Sequence, residues 1–281
     1  METWRWLLTP SLPGPANMAI DYAVARLAAS GQAPPTVRFY SWKPYCLSLG
    51  YHQSLERVNF ARCRELGIDV ARRPTGGRAV YHAEEWTYSV IFSAESGVYR
   101  SSILETYLQI SRWLVAGLRR IGVPAELAPV KRSRNVSHTL QGQACFSVPS
   151  SYEIVVAGRK LVGSAQRRWP GAVLQHGSIL VGPEHLRIAE LFCARRDGVL
   201  RVRTRLEKRT AWLRQFLPRP PALEEFSARM AQLWCELFGV RAEPGSLSGE
   251  ETRLAQNLIP EFDLQSPVAG ERANSACGGE A

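Results

Sequence analysis

The chain has 281 residues, 45% of them hydrophobic and 21% charged, which fits a globular body and excludes disorder throughout. No apolar run reaches the roughly 18–20 residues of a membrane span, and Met1–Trp6 lacks the basic-then-apolar layout of a secretory signal; a cytoplasmic protein with no membrane partner is expected. The net charge of +10 is uneven, with ten basic residues against three acids from Arg187 to Arg219 and seven acids against three bases from Arg241 onward, and a basic face on an ordered body suits an acidic partner.

In chain order, Met18, Tyr22, Ala25 and Ala29 recur near helical spacing and predict a helix over Asn17–Ser30, stopped at Gly31. Thr36–Trp42 and Leu47–Tyr51 read as strands broken by Lys43-Pro44. Phe60–Leu66 reads as a short helix ended by Gly67. Ile68–Arg72 is a strand that enters a glycine loop, and Trp86–Phe92 is another strand. A long amphipathic helix is predicted over Ser102–Ile121, followed by a polar loop over Lys131–Gln143. Tyr152–Val156 and Lys160–Gln166 flank a turn at Ala157-Gly158 and read as a hairpin. Ala172–Val181 is a further strand, and helices dominate from His185, with an apolar core stripe from Leu223 to Leu237. Strands early and helices late predict an α+β fold, a mixed sheet covered by helices. One domain over residues 1–260 is expected. Residues 261–281, rich in Gly, Ser, Ala and Glu, are expected to form a loose, disordered tail.

The six cysteines form no CxxC pair and no Cys/His metal spacing, so neither a disulfide framework nor a metal site is expected. No P-loop, dinucleotide fingerprint, HExxH or GxSxG is present. Three segments remain. In Arg73-Pro74-Thr75-Gly76-Gly77-Arg78-Ala79-Val80-Tyr81-His82, paired glycines let a backbone approach a ligand, and arginines flank them; a tight turn on a basic face is the structural alternative. Cys145 ends the polar loop rather than sitting in an apolar run, with Lys131, Arg132, Arg134 and His138 nearby in sequence. A cationic setting raises the thiolate fraction. In Gly158-Arg159-Lys160-Leu161-Val162-Gly163-Ser164-Ala165-Gln166, a lysine opens an apolar strand, where it either binds a carbonyl or phosphate or points to water. Gln175-His176-Gly177-Ser178 follows; its histidine either orients a ligand or sits satisfied in the core.

Together these segments resemble the biotin/lipoate protein ligase superfamily: the first its acyl-binding loop, the third its lysine motif. The resemblance implies that superfamily's catalytic-domain fold, a mainly antiparallel sheet covered by helices. Ala144-Cys145-Phe146 ahead of Pro149-Ser150 and Tyr152-Glu153 resembles its LipM-type octanoyltransferases, which move octanoyl from acyl carrier protein to a lipoyl domain such as glycine-cleavage H protein, the first step of endogenous protein lipoylation. The resemblance implies an acyl thioester on Cys145, the superfamily lysine at Lys160, and substrate contacts from Arg73, Thr75, Gly76, Gly77, Arg78, Val80, Tyr81, His82, Gly163, Ser164, Ala165, His176 and Gly177. Val80 and Tyr81 are expected to line an apolar slot for the acyl chain. A thioester is already activated, so no cofactor is needed. Lys160, His176 or water is left to take the acceptor's proton, and Arg195–Arg219 is expected to contribute to a docking face. An octanoyl amidotransferase and an ATP-dependent lipoate ligase share most of these motifs and are the alternatives. A basic nucleic-acid-binding protein is a third alternative, but no helix-turn-helix, RRM or zinc-finger pattern supports it, so no nucleic-acid partner is expected.

Overall fold

Two sheets organise the chain. The structure, a computed structural model, describes residues 1–128, 153–193 and 195–266. The strands are β1 (Thr3–Leu8), β2 (Thr36–Tyr40), β3 (Cys46–Leu49), β4 (Asp69–Arg72), β5 (Val80–His82), β6 (Glu85–Ser93), β7 (Glu126–Leu127), β8 (Ile154–Val156), β9 (Arg159–Trp169), β10 (Ala172–Leu180) and β11 (Arg241–Pro244). The helices are α1 (Gly14–Ala29), α2 (Phe60–Glu65), α3 (Ile103–Arg120), α4 (Ile188–Phe192), α5 (Arg196–Arg209), α6 (Leu223–Phe238) and α7 (Gly249–Phe262). The larger sheet has the order β11-β1-β2-β6-β10-β9-β8-β7, and the smaller has the order β4-β3-β5. In the larger sheet β1 runs parallel to β2 and β11, and the other pairings are antiparallel. The expected mixed, mainly antiparallel sheet with helical cover is the fold observed.

Burial explains the strand sequences. All but the last residue of β6 is buried, because helices cover both faces of the sheet. On one face Trp113 of α3 and Trp234 of α6 pack with Trp4 and Trp6 of β1. There α3 and α6 cross so closely that a Cβ at Gly117 would lie 2.0 Å from the Met230 sulfur. On the other face, α1 buries residues around most of its circumference, packed against the sheet and α7. Helix ends follow local chemistry: Ser102 caps α3 through Glu105 N–H, and α6 stops at Gly239, whose φ is 64°. No helix among the described residues is long and apolar enough to cross a membrane.

The observed segments differ from expectation at both ends of the chain. α1 begins at Gly14 rather than Asn17, since Pro15 fits the first turn. Neither β1 nor β11 was expected: β1 alternates over only Thr3-Trp4-Arg5-Trp6, with both tryptophans buried, β11 has no apolar alternation, and the two pair with each other. The boundary expected at Pro260 falls inside α7, which starts with a Ser248–Glu251 capping box. Beyond it, Leu264 N–H bonds to Val70 O at 3.0 Å, and the Gln265 amide bonds to Val70 N and Ile68 O. Residues 263–265 thus form an ordered edge on the small sheet. The tail expected over 267–281 lies outside the described residues.

The chain reverses after β10 at His185, which is 5% exposed and contacts Gly182 O and the Thr210 hydroxyl. Burial pushes its imidazole down to about 4, against about 6.5 in an unfolded chain. Below about pH 6.5 the unfolded chain binds a proton that the folded chain refuses. The contribution is therefore complete above about pH 6.5 and is lost as pH falls toward 4. Buried His176 shifts in the same direction. Urea unfolding is expected to show about 2 kcal/mol less stability at pH 5 than at pH 7 from His185 alone. His185→Gln should flatten that dependence, and an unchanged slope would refute the assignment.

Candidate active site

The glycine loop, residues 73–79 between β4 and β5, is held by its carbonyl groups. The Arg73 guanidinium donates to Ser48 O (3.0 Å), Ser48 Oγ (2.7 Å), Gly76 O (3.1 Å) and Arg78 O (2.8 Å). Arg167 donates to Pro74 O at 2.7 Å, and Tyr51 N–H donates to Thr75 O at 2.9 Å. A Cβ at Gly50 would lie 1.9 Å from Gly77 O, so two glycine backbones touch there. Gly77 has φ 96°, which only glycine adopts readily. With the carbonyls turned inward, no hydrogen bond among the described residues engages the N–H of Gly76, Gly77 or Arg78. Arg78 is half-buried and Gly77 is exposed.

Several residues expected to touch substrate build the loop instead. Arg73 is 4% exposed and is spent on the loop's own carbonyls. Val80 and Tyr81 pack into the apolar cluster of the small sheet with Leu47, Val70 and Leu191. They fill the core there rather than line an open slot. His82 stacks on Trp42 with centroids 3.9 Å apart. Its Nε2 meets Ser48 Oγ at 2.6 Å and its Nδ1 meets Glu85 Oε1 at 2.7 Å. That is a Ser-His-Glu triad in outline. Ser48 is fully buried and its Oγ already accepts a hydrogen bond from Arg73, so the cluster holds β3 to β5 and offers no nucleophile.

Below the loop lies a second buried network. Thr75 Oγ1 meets His176 Nε2 at 2.7 Å, and His176 Nδ1 faces Asp21 Oδ2 at 3.5 Å. Asp21 also takes Arg38 at 2.8 Å, the Tyr40 hydroxyl at 2.9 Å and Ser89 at 3.0 Å. Burial alone would raise the Asp21 carboxyl, but Arg38 and His176 outweigh it and hold it below the usual range. Burial lowers His176 despite Asp21, so its imidazole is neutral near pH 7, with Nδ1–H toward Asp21 and Nε2 accepting from Thr75. Both nitrogens are occupied, and His176 acts by fixing the loop.

A strip of β9 and β10 continues from the loop. Ser164, Ala165 and Gly177 are partly exposed there, and Gly163 is buried beside them. The Tyr88 hydroxyl donates to Ser164 Oγ at 2.8 Å, and Gln175 donates to Tyr88 at 3.2 Å. A Cβ at Gly177 would lie 2.5 Å from Gly163 O, 2.8 Å from Ser164 Oγ and 2.9 Å from the Tyr88 ring. Gly177→Ala is expected to cost about 1–3 kcal/mol by overpacking, read as a lower melting temperature. Acyl transfer should fall with it, because Ser164 and Tyr88 must shift.

At the other end of β9, Lys160 is 5% exposed and its ammonium contacts the Glu153 carboxylate, itself 3% exposed. The lysine is therefore turned inward, not to water. Ala211 N–H donates to Lys160 O at 2.9 Å, which fixes the strand against the end of α5. Glu153 was not among the expected site residues. Its signal was present: it stands seven residues before Lys160, across the Ala157-Gly158 hairpin turn, just ahead of apolar Ile154-Val155-Val156. Asp21 and Tyr88 had no comparable signal, since each acts through partners distant in sequence. Cys145 and the Lys131–Gln143 loop lie outside the described residues. No group of three metal-ligating side chains occurs among the described residues.

A carbonyl-pinned glycine loop beside a strand that carries one buried lysine, on this sheet order, is the catalytic-domain class the motifs resembled. The chain belongs to the lipoyl protein ligase A/B catalytic domain family, whose model matches residues 13–234. It is similar to an octanoyltransferase LipM of Kyrpidia tusciae, 42% identical over 270 residues, with 93% of this chain and 97% of that protein covered. An octanoyltransferase LipM of Bacillus subtilis is 34% identical, with 92% and 94% covered. A solved lipoate-protein ligase A bound with ATP shares the fold at TM-score 0.73 and 24% identity, covering 93% of this chain and 95% of its own. A bi-partite lipoate protein ligase from Thermoplasma acidophilum does so at TM-score 0.73 and 22% identity, with 93% of each covered.

Proposed function

We propose that this chain is an octanoyltransferase that moves octanoyl from acyl carrier protein to a lysine of a lipoyl domain, such as glycine-cleavage H protein, through a thioester on Cys145. One observation carries the reading: Lys160 is buried against Glu153, eight residues beyond Cys145, in a chain whose relatives over nearly full length are octanoyltransferases. The Cys145 thiolate attacks the donor thioester carbonyl. A carbon–sulfur bond to the enzyme forms, the one to the carrier breaks, and the carrier thiolate takes up a proton. The acceptor amine then attacks the Cys145 thioester. The amide bond forms, the carbon–sulfur bond breaks, and the amine's proton leaves through the site, so that the Cys145 sulfur is free to react again.

Both steps build negative charge on the acyl oxygen. Lys160, held in place by Glu153, donates to that oxygen. The outward N–H groups of Gly76 and Gly77 add donors along the acyl path, and Ser164, Ala165 and Gly177 form its floor. Each buried methylene adds about 0.8 kcal/mol, enough to favour eight carbons over short acyl groups. Thioester exchange is close to energy-neutral, so no step needs ATP.

The test is an intact mass after incubation with octanoyl-acyl carrier protein, without ATP. A hydroxylamine-labile octanoyl adduct that is discharged by an apo-lipoyl domain is expected. No adduct, together with ATP-dependent activation of free lipoate, would replace this reading with a ligase. Discharge only from an octanoylated lipoyl domain would make it an amidotransferase.

A further inference from the structure

Helix α5 buries only Leu206, and its remaining residues are exposed or half-exposed. Along it runs a groove of about 530 Å³ lined by Leu200, Arg201, Thr204, Arg205, Lys208 and Arg209. Leu200 is 64% exposed. Basic side chains elsewhere pair with acids, as Arg62 does with Glu190, Arg187 with Glu184 and Arg214 with Glu84. No carboxylate pairs with Arg201 or Lys208 among the described residues. Arg201, Arg205 and Arg209 stand at four-residue spacing along the helix, so like charges gather on one face. Burial, together with the charge of Arg205, pushes the Arg209 guanidinium down.

The groove leads to the candidate site. The helix ends at Thr210, which bridges to Lys160, and Ala211 N–H bonds to Lys160 O. At about 1.5 Å per residue, Arg201 lies about 14 Å from Thr210 along the helix. A hollow of this volume suits a small-molecule arm. Its walls are cationic with one apolar side chain, which matches an extended thiol arm carrying a phosphodiester. The same charge repels an acceptor lysine.

We propose that the α5 groove docks the acyl donor, an acidic carrier protein whose phosphodiester-linked arm has its phosphate at Arg201, beside Leu200, and runs past Thr204 and Lys208 toward Thr210. This rests on the octanoyl-transfer reading above and assigns the donor's surface within it. The test compares wild type with the double variant Arg201→Glu/Lys208→Glu on three donors: octanoyl-acyl carrier protein, octanoyl-phosphopantetheine and octanoyl-pantetheine. With the carrier protein, kcat/KM should fall about 10–100-fold and lose its salt dependence. Octanoyl-phosphopantetheine should be used better than octanoyl-pantetheine by wild type, and the variant should lose that preference. Turnover of octanoyl-pantetheine and KM for the lipoyl domain should not change, which also shows that the variant is folded. Equal use of the carrier protein by both enzymes overturns the proposal. A raised acceptor KM with unchanged donor kinetics overturns it too, giving the face to the acceptor. Absence of transfer from every donor in wild type would instead refute octanoyl transfer itself.

Discussion

Cys145→Ala is expected to abolish the octanoyl adduct and to lower transfer by about 10³-fold or more. The loss is large because the covalent step lets donor and acceptor visit in turn, with the acyl group stored between visits. Wild type should therefore give parallel double-reciprocal plots when donor and acceptor are varied. Cys145→Ser should be informative in a different way. An ester is a poorer acyl donor to an amine than a thioester, so any octanoyl-serine that forms should accumulate without transfer. Three of the four described cysteines, Cys46, Cys63 and Cys193, are buried and offer no substitute. Burial pushes the Cys63 thiol up to about 11 and raises Cys46 and Cys193 as well, so all three are protonated near pH 7. Transfer by Cys145→Ala within tenfold of wild type would remove the acyl-enzyme and leave direct attack at Lys160.

The buried Lys160–Glu153 pair should separate stability from catalysis. Lys160→Met leaves a carboxylate buried without its ion-pair partner, and Glu153→Leu leaves an ammonium. Each is expected to cost about 3–5 kcal/mol of unfolding free energy. The double variant replaces both charges with apolar side chains of similar size, and its stability should return to within about 1 kcal/mol of wild type. Activity should not return. Loss of the donor to the acyl oxygen is worth about 10²–10³ in kcat, and the apolar pair restores none of it. Recovery of transfer in the stable double variant would show that Lys160 only supports the fold. Urea melts and single-turnover assays on the four proteins decide between these outcomes.

The sequence made the site's backbone legible more readily than its side-chain partners. Gly76-Gly77 and the Ala157-Gly158 turn stood out because glycine and turn residues report local geometry directly. Lys160 stood out because a lysine opening an apolar strand needs a reason. Less legible were residues whose direction depends on tertiary packing. Arg73 looked like an anion ligand, yet it grips Gly76 O and Arg78 O of its own loop. Tyr81 looked like a slot wall, yet it packs with Val80 into the small sheet's core. His176 was left between ligand and core, and Asp21 decides it, from a helix more than 150 residues away. Strand β11 carries no apolar alternation to mark it, and in β1 the alternation of Trp4 and Trp6 with Thr3 and Arg5 is too short to stand out on its own.

That far pairing bears on how the protein is made. Thr3 pairs with Arg241, and Arg5 reaches Glu251 on α7. The contact closes a loop of nearly the whole chain, whose entropy must be overcome before any strand bonds form. During synthesis the β1 edge of the sheet therefore waits, unpaired, until residues 241–251 have left the ribosome. For most of translation it presents an open template for pairing with other chains, so the yield of native protein should depend on chaperones that bind nascent chains and on how quickly the final residues are released.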